Sequence, residues 1–302
     1  MKIQKAEFIG IAGVPDLTVD LPTSASGEPH GRVVVTGPCG SGKTRLLEAI
    51  LAAKEAIRPY GPLAPGAPWI RTGQAAKIRL TFWLDESERD FAAAAASVLR
   101  SEVIFHPTRI DPEADDGLRA VLGRYSHGSA HGKVDYFPAE RRIPTFPPFA
   151  GLGAGEQRLA RLTKDPRKYG FIVPFLQTLP LDTPRRLRFE AALAALSPSC
   201  RYVPDDSGLA IPRCFSSRGA PSVAVGQLSH AESDAVIFAA TAAAIGLDHS
   251  LVFLDRPELH ADEPETLLDA LGVLGQDNQL WMSCAPRTAA AAHGVHVVNL
   301  KP

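Results

Sequence analysis

Cysteine is scarce in this chain of 302 residues, and neither sign of charge is in large excess. The four cysteines, Cys39, Cys200, Cys214 and Cys284, show no C-x-x-C spacing and no histidine at metal-ligand spacing. This argues against a zinc site and against a disulfide framework, so we expect free thiols and a cytoplasmic protein. The formal net charge is −1, so any contact with nucleic acid has to be local rather than driven by a global positive field.

Segments that would place the chain in a membrane are also missing from the sequence. The longest apolar run, near Ala235–Leu247, is too short to span a bilayer. The first residues, Met1–Ile11, carry two lysines and a glutamate in a strand-like alternation, which is unlike a signal peptide. No sustained heptads occur, so long coiled-coil arms are not expected.

What the sequence does contain is an ordinary globular composition, with 45% hydrophobic and 22% charged residues. Three blocks are predicted: residues 1–99, a mostly helical block 100–220, and residues 221–302. Alternating or short apolar runs predict strands at Ile3–Ile9, Leu17–Leu21, Arg32–Thr36, Lys77–Leu84, Val134–Pro138, Leu251–Leu254, Gln279–Ser283 and Val295–Leu300. Helical patterns occur at Lys43–Ile57, Arg158–Lys168, Tyr169–Leu179, Pro184–Leu196, Ser229–Ile245 and Glu263–Leu274. Alternation of strands and helices favours a parallel sheet covered by helices.

A run of basic residues lies along the first helix predicted in the middle block. It consists of Arg158, Arg161, Lys164, Arg167 and Lys168. Two interpretations remain open for it, a solvated helix face and a surface that contacts the phosphates of DNA or RNA.

A phosphate-binding loop is the clearest motif of the chain. Its residues are Gly37, Pro38, Cys39, Gly40, Ser41, Gly42, Lys43 and Thr44, which fit G-x-x-x-x-G-K-[ST] between a predicted strand and a predicted helix. The glycines let successive N–H groups point at phosphate oxygens, and the start of the helix adds its positive dipole end. Lys43 is expected at the β- and γ-phosphates and Thr44 at Mg²⁺, with Arg45 as a further nucleotide contact.

An acidic partner for the Mg²⁺ follows another apolar strand. The segment Leu251–Asp255 has four apolar residues and then a carboxylate, which is the arrangement that a phosphate-binding loop needs. The sequence therefore predicts Thr44 and Asp255 as the metal ligands, with ATP and Mg²⁺ as cofactors.

Leu254–His260, with the sequence L-D-R-P-E-L-H, resembles the L-D-E-P-E-L-H segment of ABC-type ATPases of the SMC/OLD/RecF-like group, which are AAA-family ATP-binding proteins. Gln227–Glu232 (Q-L-S-H-A-E) is similar to the signature of that group, and Val134–Arg142 to the core strand before its helical insert. The resemblance covers both ends of the chain, but the middle only in outline. It implies an α/β P-loop fold with a mainly parallel central sheet, an antiparallel N-terminal lobe and an inserted helical subdomain.

The resemblance also implies how the nucleotide is shared between subunits. In the family, ATP lies between the phosphate-binding loop of one subunit and the signature helix of another, so Ser229 and Glu232 are candidate nucleotide contacts. Asp262 falls at the position of the family's D-loop aspartate. The implied partner is a second copy or a related ATPase, with an effector protein and DNA as further candidates.

Three departures from the family pattern bear on the chemistry. Arg256 occupies the position of the catalytic glutamate, and an arginine cannot act as a base. Cys284 stands where the family has its switch histidine, and His230 and Ala231 replace the signature glycines. Glu258 and Glu140 are the alternative catalytic carboxylates.

These observations lead to one main prediction and two alternatives. The main prediction is an ATP·Mg²⁺-binding ATPase subunit with weak hydrolysis that works with a partner protein, with DNA as a further candidate partner. The first alternative is a non-hydrolysing nucleotide sensor that uses ATP to stabilise an assembly. A transporter ATPase ranks lowest, because P-E-L-H after the acidic strand resembles the non-transporter branch.

Overall fold

The alternating segments of the N-terminal region form an antiparallel sheet. The computed structural model describes residues 1–61, 70–71, 75–128, 130–144, 153–205, 211–217, 219–261, 264–291 and 293–301. The strands of this sheet are β1 (Lys2–Ile9), β2 (Leu17–Asp20), β4 (Ala76–Trp83), β5 (Val98–Phe105) and β6 (Ile110–Ala114). They are ordered β2-β1-β4-β5-β6, and every pairing is antiparallel. One face of the sheet is buried and the other is charged, which explains the period of two in the sequence.

The short apolar runs form a second sheet, which is parallel. Its strands are β3 (Arg32–Thr36), β7 (Val134–Phe137), β11 (Leu251–Asp255), β12 (Gln279–Ser283) and β13 (His296–Asn299). Their order is β13-β3-β12-β11-β7. Every residue of β7, β11 and β12 is buried, so these strands carry apolar residues on both faces rather than alternating, and Asp135 of β7 is a buried charge.

Helices cover both faces of the parallel sheet. The helices are α1 (Lys43–Ile57), α2 (Glu86–Ala92), α3 (Asp116–Gly123), α4 (Ala154–Ala160), α5 (Ile172–Thr178), α6 (Thr183–Leu196), α7 (His230–Thr241), α8 (Pro264–Ala270) and α9 (Pro286–Ala291). A π-helical segment, Ala242–Gly246, continues α7, and 3-10 turns include Pro166–Tyr169 and Pro257–His260. Helix α1 packs between the two large sheets, whereas α5, α6 and α7 cover the opposite face of the parallel sheet. The carboxyl ends of β3 and β11 therefore lie at one edge, next to the start of α1.

One side chain links the two large sheets directly. The Gln279 amide on β12 donates to the carbonyl of Ile3 at 2.8 Å, and its oxygen accepts from the Ile3 N–H at 2.7 Å. Because both polar ends of this buried side chain are satisfied, the antiparallel lobe is held in register with the parallel sheet.

The middle of the chain differs from the sequence prediction in two ways. The block 100–220 contains strands as well as helices, because β5 and β6 extend the antiparallel sheet and a small sheet forms from β8 (Cys200–Tyr202), β9 (Phe215–Ser217) and β10 (Ala220–Val223). The helix predicted over Arg158–Lys168 is wrong, since α4 ends at Ala160 and a separate 3-10 turn begins at Pro166. The division of the chain into three segments stays a prediction.

Candidate functional site

The phosphate-binding loop is held in place by close backbone contacts that only glycine permits. Gly42 precedes α1 with φ +93°, and a Cβ there would lie 2.0 Å from the carbonyl oxygen of Gly13. A Cβ at Gly37 would lie 2.4 Å from the carbonyl oxygen of Leu300. Gly40 has φ +81° but meets nothing within 4 Å, so its need for glycine is conformational.

Polar side chains of the loop are arranged around its backbone. The Lys43 ammonium donates to the carbonyls of Gly37 and Pro38, both at 2.8 Å, so it lies over the loop. The Ser41 hydroxyl is buried and has no hydrogen-bond partner. Cys39 is exposed, and Arg45 donates from Nε to the carbonyl of Ala12 at 3.2 Å.

The predicted metal ligands lie next to each other. Strands β3 and β11 flank β12, and the Thr44 hydroxyl donates to Asp255 Oδ1 at 2.9 Å. Asp255 is only 2% exposed, and the Ser283 hydroxyl on β12 also donates to its Oδ1. A hydroxyl and a carboxylate are the hard oxygen donors that Mg²⁺ prefers, so these residues fit the metal that the sequence predicts.

Arg256 has an unusual backbone conformation. Its φ is +47° and its ψ is +58°, in the left-handed region that non-glycine residues rarely occupy. Its N–H is directed at the Ser283 carbonyl at 3.0 Å and hydroxyl at 3.1 Å. The side chain is exposed, while the neighbouring Asp255 carboxylate is engaged by hydroxyls. The left-handed conformation is accompanied by these two hydrogen bonds to Ser283, and such conformations cluster at functional sites.

Of the two alternative carboxylates, Glu258 lies by the loop after β12. It is buried, Oε1 accepts from the Ala285 N–H at 2.9 Å, and Oε2 has no hydrogen-bond partner. Burial raises the pKa of Glu258. Cys284, at the switch position, is buried as well, and this burial raises the pKa of its thiol to about 12, so the thiol stays neutral. Glu140, in the segment that follows β7, is exposed.

The start of α7 carries the signature-like residues. Ser229 is the N-cap: its hydroxyl accepts from the Glu232 N–H at 3.3 Å, and Glu232 Oε2 accepts from the Ser229 N–H at 2.9 Å. The Ser217 hydroxyl of β9 donates to the other oxygen of Glu232. This capping box confirms the predicted N-terminus of the helix.

Sequence reasoning missed a buried ionic network beside this site. Arg141, 2% exposed, donates to Asp234 of α7 at 2.6 Å and to the carbonyl of Asp255 at 3.0 Å. His260 Nδ1 lies 3.0 Å from Asp234 Oδ2. The only signal in the sequence is that Arg141 and His260 belong to the two segments that resemble the ATPase group.

The five basic residues do not lie on one continuous surface, as both interpretations of this run assumed. Arg161 is 0% exposed and bonded to Asp135 by two hydrogen bonds of 3.1 and 2.9 Å, and Lys168 is 1% exposed and donates to backbone carbonyls. Lys164 pairs with Glu48 and Arg167 with Asp165. Helical spacing would place these residues on one solvated face. The chain turns at Pro166, however, and two of the five cations, Arg161 and Lys168, are buried in the core.

Asp262, the candidate D-loop aspartate, lies outside the described residues. Within them, no cluster of three or more histidine, cysteine, aspartate or glutamate side chains could hold a metal ion. Among the helices of this part of the chain, none has the length and apolar character needed to cross a membrane.

Comparisons with known proteins show which fold the chain has. No family model and no curated protein matches the chain. A solved structure of an SMC head bound to the C-winged helix domain of ScpA matches with a TM-score of 0.54 and 14% identity, covering 96% of this chain and 91% of that chain. The SMC head domain from Thermotoga maritima matches with a TM-score of 0.51 and 14% identity, covering 99% and 95%. The chain therefore has the α/β fold of SMC heads, which confirms the predicted ABC-type fold at that level.

Proposed function

We propose that the protein is an ATP·Mg²⁺-binding subunit of the SMC-like ABC type that acts with a partner protein and hydrolyses ATP weakly. The observation that carries the proposal is the 2.9 Å contact between Thr44 and Asp255. These residues are 211 positions apart in the sequence, and the fold brings the loop hydroxyl and the strand-end carboxylate together where a nucleotide-bound Mg²⁺ requires both.

Each residue of the site has a proposed role. The backbone N–H groups of Gly37–Gly42 and the start of α1 bind the phosphates, and Lys43 adds a fixed cation beside them. Thr44 and Asp255 would hold the Mg²⁺, which would neutralise charge on the phosphates. Arg45 joins the loop to Ala12, so it supports the site through the turn that contacts Gly42.

Weak hydrolysis is proposed because the residue after Asp255 is an arginine, which cannot act as a general base. Arg256 offers positive charge there, which favours bound ATP over the hydrolytic transition state. Glu258 and Glu140 are the proposed alternative bases. Glu258 has a buried carboxyl anchored on Ala285, and Glu140 is exposed after β7. Losing a positioned base typically lowers the rate by about 10²–10⁴.

The same observation supports a second candidate, a nucleotide sensor that does not hydrolyse ATP. In this function ATP stabilises an assembly in which Ser229 and Glu232 at the start of α7 meet the nucleotide of a second subunit. The assembly partner is a second copy or a related ATPase, and an effector protein is the next candidate; one similar SMC head structure contains a bound domain of ScpA. DNA stays a candidate partner, but the buried Arg161 and Lys168 are not available to contact it.

Nucleotide binding is tested by thermal unfolding with and without ATP·Mg²⁺. A ligand that binds only the native state raises the melting temperature, by an amount set by its concentration and affinity. We expect a clear rise for the unmodified protein and for Lys77→Ala, a control on the outer face of the antiparallel sheet. Lys43→Ala should lose most of the rise. An equal rise in Lys43→Ala would overturn the assignment of the loop.

Steady-state phosphate release separates the two candidate functions. Slow turnover that needs Lys43 supports the weak ATPase. Tight ATP binding with no turnover supports the sensor.

A further inference from the structure

Arg141 joins three backbone carbonyls and one carboxylate in the interior of the protein. Nη1 donates to the carbonyls of Pro138 at 2.8 Å and Asp255 at 3.0 Å. Nη2 donates to Asp234 Oδ2 at 2.6 Å and to the carbonyl of Arg256 at 3.3 Å. One planar guanidinium thus contacts the end of β7, the end of β11 and α7, a set of contacts that a lysine ammonium could not reproduce.

Asp234 lies in the first half of α7, slightly more than one turn after the N-cap Ser229. Its Oδ2 also contacts His260, which follows the Pro257–Glu258 turn, and the His260 ring lies 5.1 Å from the ring of His230 at the first position of α7. The Asp234 side chain is 7% exposed and that of Arg141 0%. The pair is therefore little screened by solvent, and a displacement of one member is transmitted to the other.

A continuous series of short contacts leads from the phosphate-binding loop to Asp234, just after the first turn of α7. Thr44 contacts the Asp255 carboxylate at 2.9 Å, the Asp255 carbonyl contacts Arg141 at 3.0 Å, and Arg141 contacts Asp234 at 2.6 Å. The Asp255–Arg256 backbone in the middle is fixed on the other side by Ser283. These contacts connect the nucleotide-binding residues Thr44 and Asp255 directly to α7.

We infer that Arg141 is a positioning residue that couples nucleotide binding at the phosphate-binding loop to the first turn of α7, through Asp234. The inference rests on the proposed function, because it needs ATP to bind beside Thr44 and Asp255. It adds to that function a link within one chain, from its own nucleotide to the helix that carries Ser229.

Hydrogen–deuterium exchange with and without ATP·Mg²⁺ tests the coupling. In the unmodified protein, ATP should slow exchange both in residues 37–44 and in the first turn of α7, the latter by about fivefold or more, which is the lower end of typical coupling. Asp234→Asn keeps the guanidinium and its three carbonyl acceptors but removes the charge. Arg141→Lys keeps the charge but removes the fork. Both variants should still show ATP-dependent protection in residues 37–44, while the protection in α7 falls below about twofold.

A matched control excludes a purely structural role. Asp135 on β7 forms a fully buried ion pair with Arg161, and among the described hydrogen bonds neither residue is bonded to Asp255 or Asp234. Asp135→Asn should therefore lower stability but keep the ATP-dependent change in α7. Persistence of that change in Asp234→Asn, or its equal loss in Asp135→Asn, would overturn the coupling.

The result also distinguishes this inference from the proposed function. Protection of residues 37–44 without any change in α7 of the unmodified protein refutes the coupling alone. No protection in residues 37–44 refutes both. If Arg141→Lys does not fold, Asp234→Asn decides.

Discussion

Two glycines of the phosphate-binding loop should respond differently to the same substitution. Both have positive φ, +81° at Gly40 and +93° at Gly42, so alanine adds left-handed strain of about 1–2 kcal/mol at either position. At Gly40 the new methyl group meets nothing within 4 Å, and the strain is the whole effect. At Gly42 the methyl would lie 2.0 Å from the Gly13 carbonyl oxygen, so the turn has to move.

The cost of that movement sets the expected difference. Overpacking a tight contact costs about 1–3 kcal/mol, which brings Gly42→Ala to about 2–5 kcal/mol in total. At about 2 °C per kcal/mol for a chain of this size, Gly40→Ala should lower the melting temperature by about 2–4 °C and Gly42→Ala by about 4–10 °C. Calorimetry of the two variants without nucleotide measures this. Equal losses would refute the claim that the Gly13 turn packs on the loop.

Three further predictions concern chemistry, capping and pH. Arg256→Glu should raise steady-state turnover by up to about 10²–10⁴ if the rest of the site is intact; brisk turnover of the unmodified protein that survives Arg256→Ala but not Lys43→Ala would show that another residue is the base. Ser229→Ala removes the N-cap hydroxyl of α7 and should lower the free energy of unfolding by about 1 kcal/mol, measured in urea; no loss would contradict the capping box. Burial lowers the pKa of Lys54 from 10.5 to about 7. Between these two pH values Lys54 is protonated in the unfolded chain but neutral in the folded chain. The free energy of unfolding should therefore rise with pH over this range, by up to about 1.4 kcal/mol per pH unit from this group. Lys54→Met should remove that slope in urea unfolding at pH 7 to 10, and an unchanged slope would assign it to other groups.

The two ends of the chain could be predicted because their signals are local. Strands β3 and β12 and helix α1 have the bounds that the sequence predicts, since apolar runs and the glycine-rich motif specify them residue by residue. The Thr44–Asp255 contact followed as well, because the motif fixes one residue at the start of a helix and the other at a strand end.

The middle of the chain could not be predicted as well, for two different reasons. Strand β5 alternates between exposed and buried residues, so its period of two was present in the sequence but was assigned to a mostly helical block. The carboxylate partners of Arg161 and Arg141 could not be predicted from the local sequence pattern. Asp135 is 26 residues from Arg161, and Asp234 is 93 residues from Arg141. Helical spacing cannot reveal that a basic side chain is buried against a distant carboxylate.

The most direct test of the account is a calorimetric titration of the protein with ATP, with and without Mg²⁺. We predict one ATP per chain, bound more tightly with Mg²⁺ than without it, because Thr44 and Asp255 add metal ligands to the phosphate contacts. Asp255→Asn should bind ATP but lose most of the gain from Mg²⁺. The absence of binding in both conditions, or an affinity unchanged by Lys43→Ala, would contradict the central claim.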